Sequence, residues 1–192
     1  MNLLVVGSGG REHAIIKKLK ENKSVSAIYA LPGNGGIAAD ATCVPIGATD
    51  IDKIVEFAVA NAIDYAVVAP DDPLVLGCVD KLNAAGVPCF GPDAKAAIIE
   101  GSKAFSKNLM KKYGIPTASY EIFTELSDAL EYLKTAPIPT VVKADGLALG
   151  KGVIIAQTRE EALEAVTDMM ANAKFGASGS TVVIEEFLEG PE

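Results

Sequence analysis

The sequence predicts an α/β protein in which a parallel-sheet, Rossmann-like domain at residues 1–101 precedes a small α+β lobe at residues 102–192. Short apolar runs alternate with segments that carry apolar residues at helical spacing. This alternation is typical of a parallel sheet covered by helices. Near Gly91 and Pro92 the alternation gives way to two consecutive short helices, which indicates the start of a second unit.

Apolar spacing and turn residues define the elements of the first domain. Ala14, Ile15 and Leu19 recur at helical spacing, Pro70 ends a buried strand, and Gly86 stops a helix. The predicted strands are residues 1–6, 25–31, 41–46, 65–69 and 87–90, and the predicted helices are 11–22, 51–61 and 73–85. This order predicts helices on both faces of the sheet.

The second lobe begins with two predicted helices, residues 93–100 and 102–113. Gly114 closes the second helix, and Pro116 follows shortly after it. The remaining predicted strands are 120–123, 140–144, 152–156 and 181–186, and the remaining helices are 127–133 and 159–171. A glycine-rich turn joins the second and third of these strands.

Composition and charge limit the classes of function. Apolar residues make up 49% of the chain, and no apolar run reaches the ~20 residues that a membrane helix needs. The net charge of -8 argues against nucleic acid or an anionic membrane as a partner. The chain starts as an apolar strand without a basic segment, and its three cysteines lack the spacing of a disulfide framework or a zinc site. We therefore expect free thiols and a cytoplasmic protein.

Two glycine-rich loops are predicted at the carboxyl edge of the first sheet, where open α/β sheets bind ligands. The loop at residues 7–13 fails the dinucleotide fingerprint, because Glu12 stands where the third glycine should be. Backbone N–H groups beside Arg11 suit a single phosphate monoester instead. The loop at residues 32–36 fits an ordinary turn as well as a ligand loop, and its position favours a shared site. The predicted substrate-binding residues are Gly9, Gly10, Arg11, Gly33, Asn34, Gly35 and Asp71.

His13 is the only histidine and lies in the first turn of a predicted helix. We expect a packing or hydrogen-bonding role for it rather than general-base catalysis.

A third glycine-rich loop, at residues 143–152, links strand to strand and is not a Walker A loop. Three residues separate Gly146 from Gly150, and Gly152 follows Lys151. A flexible hairpin with Lys143 and Lys151 on its flanks can close over a polyphosphate. The carboxylates that follow the last strand also fit a solvated strand end.

Six short sequence motifs resemble those of the ATP-grasp ligases, and more closely those of the glycinamide ribonucleotide synthetase family. They are residues 7–14 (GSGGREHA), 32–34 (PGN), 90–92 (FGP), 100–105 (EGSKAF), 143–153 (KADGLALGKGV) and 185–190 (EEFLEG), in family order. The resemblance implies a pre-ATP-grasp domain followed by the small lobe of an ATP-grasp domain. It also implies ATP- and Mg²⁺- (or Mn²⁺-) dependent ligation of glycine to 5-phosphoribosylamine through glycyl phosphate, in de novo purine biosynthesis.

The resemblance also implies roles for individual residues. Lys143 and Lys151 would contact the nucleotide phosphates and carry catalysis, Glu185 would lie near the adenine amino group, and Glu192 near the ribose hydroxyls. The implied nucleotide-binding residues are Lys103, Lys143, Lys151, Gly152, Glu185, Glu186, Phe187, Leu188 and Glu192. The amino-terminal loops would hold phosphoribosylamine. The family's metal ligands lie downstream of residue 192, so none is assigned here, and we expect the chain to be a fragment that is inactive alone.

The chain departs from the family pattern at two places. Asp71 and Asp72 stand where the family commonly has Glu-Ala, and Leu149 stands where a small residue is frequent. The alternatives are another ATP-grasp carboxylate–amine ligase, a biotin-carboxylase-like enzyme, or a non-enzymatic nucleotide-binding module. Under the main interpretation the partners are phosphoribosylamine, glycine and ATP, with no nucleic acid and no membrane.

Overall fold

The chain divides into two units, Met1–Ala97 and Ile98–Glu192. The computed structural model describes residues 1–147, 152–172 and 179–190. The first unit contains a five-stranded parallel sheet and the second a four-stranded antiparallel sheet, which confirms the predicted fold class. Within the described ranges, no helix has the length and apolar character needed to cross a membrane.

The sheet of the first unit has the strand order β3-β2-β1-β4-β5. Its strands are β1 (Asn2–Gly7), β2 (Ala27–Pro32), β3 (Thr42–Cys43), β4 (Tyr65–Val68) and β5 (Cys89–Phe90). Its helices are α1 (Gly10–Leu19), α2 (Ile51–Ala60), α3 (Asp71–Val75) and α4 (Cys78–Ala84), with a 3-10 helix at Ile37–Ala39. Helix α5 (Ala94–Gly101) contains the boundary between the two units.

Each face of this sheet has its own apolar core, because successive side chains of a strand point to opposite faces. Leu4 of β1 packs in one core with Ile54 of α2. Val5 packs in the other core with Ile16 of α1 and Ile37 of the 3-10 helix. Helices therefore cover both faces of the sheet.

The prediction of one helix over residues 73–85 is wrong. The structure has the separate helices α3 and α4, and Gly77 between them has a left-handed φ of 78°. A left-handed residue ends an α-helix, and glycine adopts this conformation without Cβ strain. Leu76 continues the apolar spacing across the break, although its side chain is exposed. Its apolar character therefore hid the break in the sequence.

The second unit contains an antiparallel sheet in the order β6-β9-β7-β8. Its strands are β6 (Tyr120–Phe123), β7 (Thr140–Ala144), β8 (Val153–Ala156) and β9 (Val182–Glu186), and its helices are α6 (Lys103–Tyr113), α7 (Leu126–Leu133) and α8 (Arg159–Met170). One face of the sheet packs against α7 and α8 through residues such as Val142, Ile184, Leu133 and Val166. The side chains of the opposite face form the main candidate site.

Candidate functional site

A buried carboxylate lies between two lysines on the face of the second sheet that points away from α7 and α8. Alternation along β7 and β9 places Lys143 and Glu185 on this face. The Nζ atom of Lys143 donates to Oε2 of Glu185 at 2.8 Å. The Nζ atom of Lys107, from α6, lies 3.2 Å from the same oxygen. These three residues form what we call the Lys–Glu–Lys trio.

The trio is largely shielded from solvent, with side-chain exposures of 6% for Glu185, 9% for Lys107 and 26% for Lys143. Lys107 also donates to Oγ1 of Thr117 at 2.7 Å, and its Nζ lies 5.4 Å from the centroid of the Tyr120 ring. Buried charges persist only when they are paired and hydrogen-bonded. Two ammonium groups face one carboxylate, so the trio keeps an excess positive charge that suits an anionic ligand.

Glu185 also carries a buried acceptor. Its Oε1 atom has no hydrogen-bond partner within the part of the chain that the structure describes. An unsatisfied buried oxygen costs free energy. A ligand that donates an N–H at this point would therefore be favoured.

An apolar strip lies beside the trio on strand β8. Val153 is 44% exposed and Ile155 is 50% exposed. Val153 pairs across the strands with Lys143, and Ile155 pairs with Val141. Directly opposed residues of an antiparallel pair share one face of the sheet. The face therefore combines an apolar platform with ammonium groups, which suits a molecule with a flat apolar part and an anionic tail.

Lys103 does not join this trio. Its Nζ donates to the backbone carbonyls of Asp145 at 3.3 Å and Gly146 at 3.0 Å. Burial lowers the pKa of Lys103, while the nearby Asp145 acts in the opposite direction. Lys107 is the α6 lysine that reaches Glu185. Lys107 was not predicted from the sequence, because it lies outside the six motifs. Lys103 and Lys107 are four positions apart and therefore share one side of the helix.

The chain after β9 leaves the sheet at Glu186. Glu186 accepts a hydrogen bond from Oγ of Ser119, and the hydrogen bonds from Ser119 lower its pKa. Phe187 is half-buried and the side chain of Leu188 is 63% exposed. Gly152 is buried directly before β8, and its carbonyl accepts from Ala144 N at 2.8 Å. Lys151 and Glu192 lie outside the described residues.

The first unit brings its two glycine-rich loops together at one edge of the parallel sheet. Because β1 and β2 run parallel in register, Gly7 lies opposite Pro32. Gly33 N donates to Gly7 O at 3.1 Å, and Nδ2 of Asn34 donates to Ser8 O at 2.7 Å. The loops therefore form one continuous surface.

The side chain of Asn34 has further partners inside its own loop. Its Oδ1 accepts from the backbone N–H groups of Gly36 at 2.8 Å and Ile37 at 2.9 Å. Asn34 therefore holds the two loops together, and one hydrogen of its amide is left for other contacts.

The other predicted substrate residues lie along the same edge. Glu12 accepts from Gly9 N at 2.5 Å and so takes up one of the free N–H groups at the start of α1. Asp71 begins α3 directly after β4, which pairs with β1. The exposed ones among the predicted substrate residues are Gly9, Gly10, Arg11, Asn34 and Gly35.

His13 contacts Asp40 at the end of the 3-10 helix. Its Nε2 lies 2.8 Å from one carboxylate oxygen of Asp40, and Nζ of Lys20 donates to the other at 2.9 Å. The hydrogen bonds from Lys20 and His13 lower the pKa of Asp40 from 3.8 to about 2. A Cβ at Gly36 would lie 3.2 Å from the His13 ring, so the imidazole also packs against the second loop.

No group of three or more His, Cys, Asp or Glu side chains in residues 1–147, 152–172 and 179–190 could hold a metal ion.

Comparison with known proteins covers the whole chain. Residues 1–100 match the family described as Phosphoribosylglycinamide synthetase, N domain, and residues 101–192 match Phosphoribosylglycinamide synthetase, ATP-grasp (A) domain. The phosphoribosylamine–glycine ligase of Halalkalibacterium halodurans is 50% identical over 192 residues, and that of Vibrio cholerae is 52% identical over 194. All of this chain aligns with 45% of each of these proteins, so the chain spans about half their length.

Solved structures resemble this chain over nearly its whole length. The crystal structure of phosphoribosylamine–glycine ligase from Thermotoga maritima matches with a TM-score of 0.81 and 33% identity, covering 100% of this chain and 45% of that one. A biotin carboxylase domain of the Hydrogenobacter thermophilus 2-oxoglutarate carboxylase, in complex with MgADP, ADP and bicarbonate, matches with a TM-score of 0.79. Its identity of 20%, over 98% of this chain and 44% of that one, shows a shared fold only.

Proposed function

This chain belongs to the phosphoribosylglycinamide synthetase family, and from that membership we propose that its protein ligates glycine to 5-phosphoribosylamine in de novo purine biosynthesis. The glycine carboxylate takes the γ-phosphoryl group of ATP, which gives glycyl phosphate and ADP. The amine nitrogen then attacks the carbonyl carbon, expels phosphate and loses a proton to give glycinamide ribonucleotide. The proposed partners are small molecules, and the proposed location is the cytoplasm.

The Lys–Glu–Lys trio is the observation that carries the proposal. Lys143 and Lys107 would face the phosphates of ATP, and the adenine would lie on the strip formed by Val153 and Ile155. Oε1 of Glu185 would accept a hydrogen from the adenine amino group, which would satisfy a buried oxygen that has no partner among the described residues. This arrangement uses both the excess positive charge and the apolar surface of the same face.

Further contacts to the nucleotide would come from the ends of the strands around the trio. The backbone of residues 186–188 would read the adenine edge, and Gly152 would let the hairpin approach the phosphates closely. Lys151 and Glu192, expected from the sequence to contact phosphate and ribose, keep those proposed roles. Lys103 would act through the hairpin, because its ammonium group donates to the carbonyls of Asp145 and Gly146.

The lysines would act as fixed positive charges. A lysine ammonium needs no change of protonation for this role. Charges placed in advance near a transferring phosphoryl group stabilise the transition state more than the ground state. Mg²⁺ would bind together with the phosphates of ATP and offset their charge, and we route no step through it.

Phosphoribosylamine would bind at the edge of the first unit. Its phosphate would accept from backbone N–H groups at the start of α1, with Arg11 as counter-charge. Glu12 already occupies Gly9 N, so Gly10 and Arg11 are the nearest N–H groups left for the phosphate. Asn34 and Asp71 would complete the edge toward the sugar.

The test is the substrate dependence of ADP release by the protein at its natural full length. We expect ADP to form only when glycine and phosphoribosylamine are both present, with one equivalent of glycinamide ribonucleotide per ADP. ADP release that requires bicarbonate in place of glycine would contradict the proposal and favour a biotin-carboxylase-like reaction. ATP binding without turnover in any substrate mixture would favour a nucleotide-binding module.

A further inference from the structure

We propose that Asp145 is a positioning residue that joins the N-terminus of α6 to the end of β7 and so sets the spacing of Lys107 and Lys143. This inference rests on the proposed function, because it assigns these two lysines to one nucleotide. Asp145 itself lies within the glycine-rich segment 143–153, and its carboxylate accepts hydrogen bonds from Ser102 and Ala104 at the N-terminus of α6.

The carboxylate of Asp145 accepts hydrogen bonds at the start of α6, where backbone N–H groups have no partner within the helix. Oδ1 accepts from Ala104 N at 2.7 Å, and Oγ of Ser102 lies 3.0 Å from Oδ1 and 3.1 Å from Oδ2. Ser102 in turn accepts from Phe105 N at 3.0 Å, and Lys103 N donates to Asp145 O at 3.2 Å. The first turn of α6 is therefore held by a residue that lies about forty positions away in the chain.

The charge of Asp145 adds to this connection. The first turn of α6 contains no acidic residue of its own. A carboxylate at a helix N-terminus is stabilised by the helix dipole, and here Asp145 supplies it. The N–H groups at this end of α6 are consequently used by the protein and not by a ligand.

The backbone of Asp145 is fixed to the sheet. Asp145 N donates to Thr181 O at 3.0 Å, and the preceding Ala144 N donates to Gly152 O at 2.8 Å. The ammonium group of Lys103 adds hydrogen bonds to the carbonyls of Asp145 and Gly146. The end of β7 therefore cannot shift relative to α6 without breaking several hydrogen bonds at once.

The two proposed phosphate contacts lie on either side of this connection. Lys143 comes two residues before Asp145 on β7, and Lys107 lies four residues after Lys103 on α6, about 6 Å along the helix axis. Both ammonium groups reach the same oxygen of Glu185, at 2.8 Å and 3.2 Å. A shift of α6 against β7 would separate them, and displacement of a binding group by about 1 Å can cost up to roughly a hundredfold in rate.

The test compares Asp145→Ala and Asp145→Asn with a matched control in the protein at its natural full length. The control is Thr158→Ala, because Thr158 also caps a helix of the second unit, α8, by accepting from Glu161 N at 3.2 Å. Helix α8 packs on the opposite face of the sheet from the trio. Three quantities are measured for each variant: the Kd of a non-hydrolysable ATP analogue by calorimetry, the KM for phosphoribosylamine, and the urea midpoint of unfolding.

We expect Asp145→Ala to raise the Kd of the ATP analogue by roughly tenfold or more, the effect of losing one charge-assisted contact to phosphate, with the KM for phosphoribosylamine unchanged. The Kd of the analogue for Asp145→Asn should lie between the values for Asp145→Ala and the wild type, because the amide keeps one acceptor oxygen but loses the charge. Thr158→Ala should lower the urea midpoint and leave the Kd of the analogue unchanged.

A Kd for Asp145→Ala equal to that of the wild type would overturn the proposal. So would an equal rise in Kd for Thr158→Ala, since it would show a general effect of helix loosening. If Asp145→Ala does not fold, Asp145→Asn and Ser102→Ala decide by the same criterion. Wild-type protein that binds the analogue but makes no glycinamide ribonucleotide would overturn the proposed function alone, because nucleotide affinity is read separately.

Discussion

Replacement of Lys143 by methionine should weaken ATP binding while the protein stays folded. Methionine keeps the unbranched stem of the side chain and removes the ammonium group. The Nζ atom of Lys143 is 2.8 Å from Oε2 of Glu185, and the side chain is 26% exposed. Lys107 remains 3.2 Å from that oxygen, so the carboxylate keeps one partner in the variant.

The expected magnitudes follow from these contacts. A buried charge left entirely without a partner costs about 3–5 kcal/mol. Because Glu185 keeps Lys107, we expect the free energy of unfolding to fall by only about 1–2 kcal/mol. A charge-assisted contact to a phosphate contributes roughly 1.5–3 kcal/mol, so the Kd for ATP should rise on the order of tenfold to a hundredfold.

The assay is calorimetry with a non-hydrolysable ATP analogue, together with steady-state ADP release by the protein at its natural full length. Lys134→Met is the matched control, because Lys134 pairs with Glu131 on the surface of α7 and its side chain is 66% exposed. We expect the control to change neither quantity. Analogue affinity and turnover of Lys143→Met that both equal the wild-type values would refute the assignment of the trio to ATP.

Three further predictions concern the first unit. Ribose 5-phosphate should shift the amide resonances of residues 7–11 and 32–36, and shifts confined to another surface would contradict the proposed phosphate site. His13→Asn should keep most of the turnover at saturating substrates, because the imidazole of His13 contacts Asp40 and has a structural role. A loss of ~10²-fold in kcat would instead indicate general-base catalysis. Asp40 should stabilise the fold above pH 3.8 and lose this contribution as the pH falls toward its native pKa of about 2, where the carboxylate becomes protonated. The difference in unfolding free energy between wild type and Asp40→Asn should therefore shrink across this window, and a constant difference in urea titrations would contradict the assignment.

Local signals in the sequence predicted much of the fold. Ser102 and Gly114 were expected to bound one helix, and the structure places Ser102 as the cap of α6 and Gly114 in the left-handed conformation at its end. The proximity of the loops at residues 7–13 and 32–36 also followed from sequence, because parallel strands end at the same edge. These features depend on residues close together in the chain or on the general geometry of a parallel sheet.

Contacts between distant residues could not be predicted in the same way. The resemblance implied a nucleotide contact for Lys103, which stays a prediction. In the structure its ammonium group donates to backbone carbonyls, and Lys107, one turn later, contacts Glu185. Spacing along a helix identifies a shared side and does not tell which lysine on it reaches a partner on another strand. The apolar strip of Val153 and Ile155 was also missed, because an exposed apolar pair on an edge strand looks like ordinary core in sequence.

The position of β9 in its sheet has a consequence for how the protein is made. Among the described strands of the second unit β9 comes last in the sequence, yet it lies inside the sheet and pairs with both β6 and β7. Among the described strands β6 pairs only with β9, so during translation this partner is missing until residues 182–186 have left the ribosome. The parallel sheet of the first unit has all its described strands once β5 is available. Because domains fold from the N-terminus as they emerge and long-range strand pairing is slow, the first unit should complete its sheet while the second still has unpaired strand edges. That interval is when a nascent chain of this kind is most exposed to aggregation.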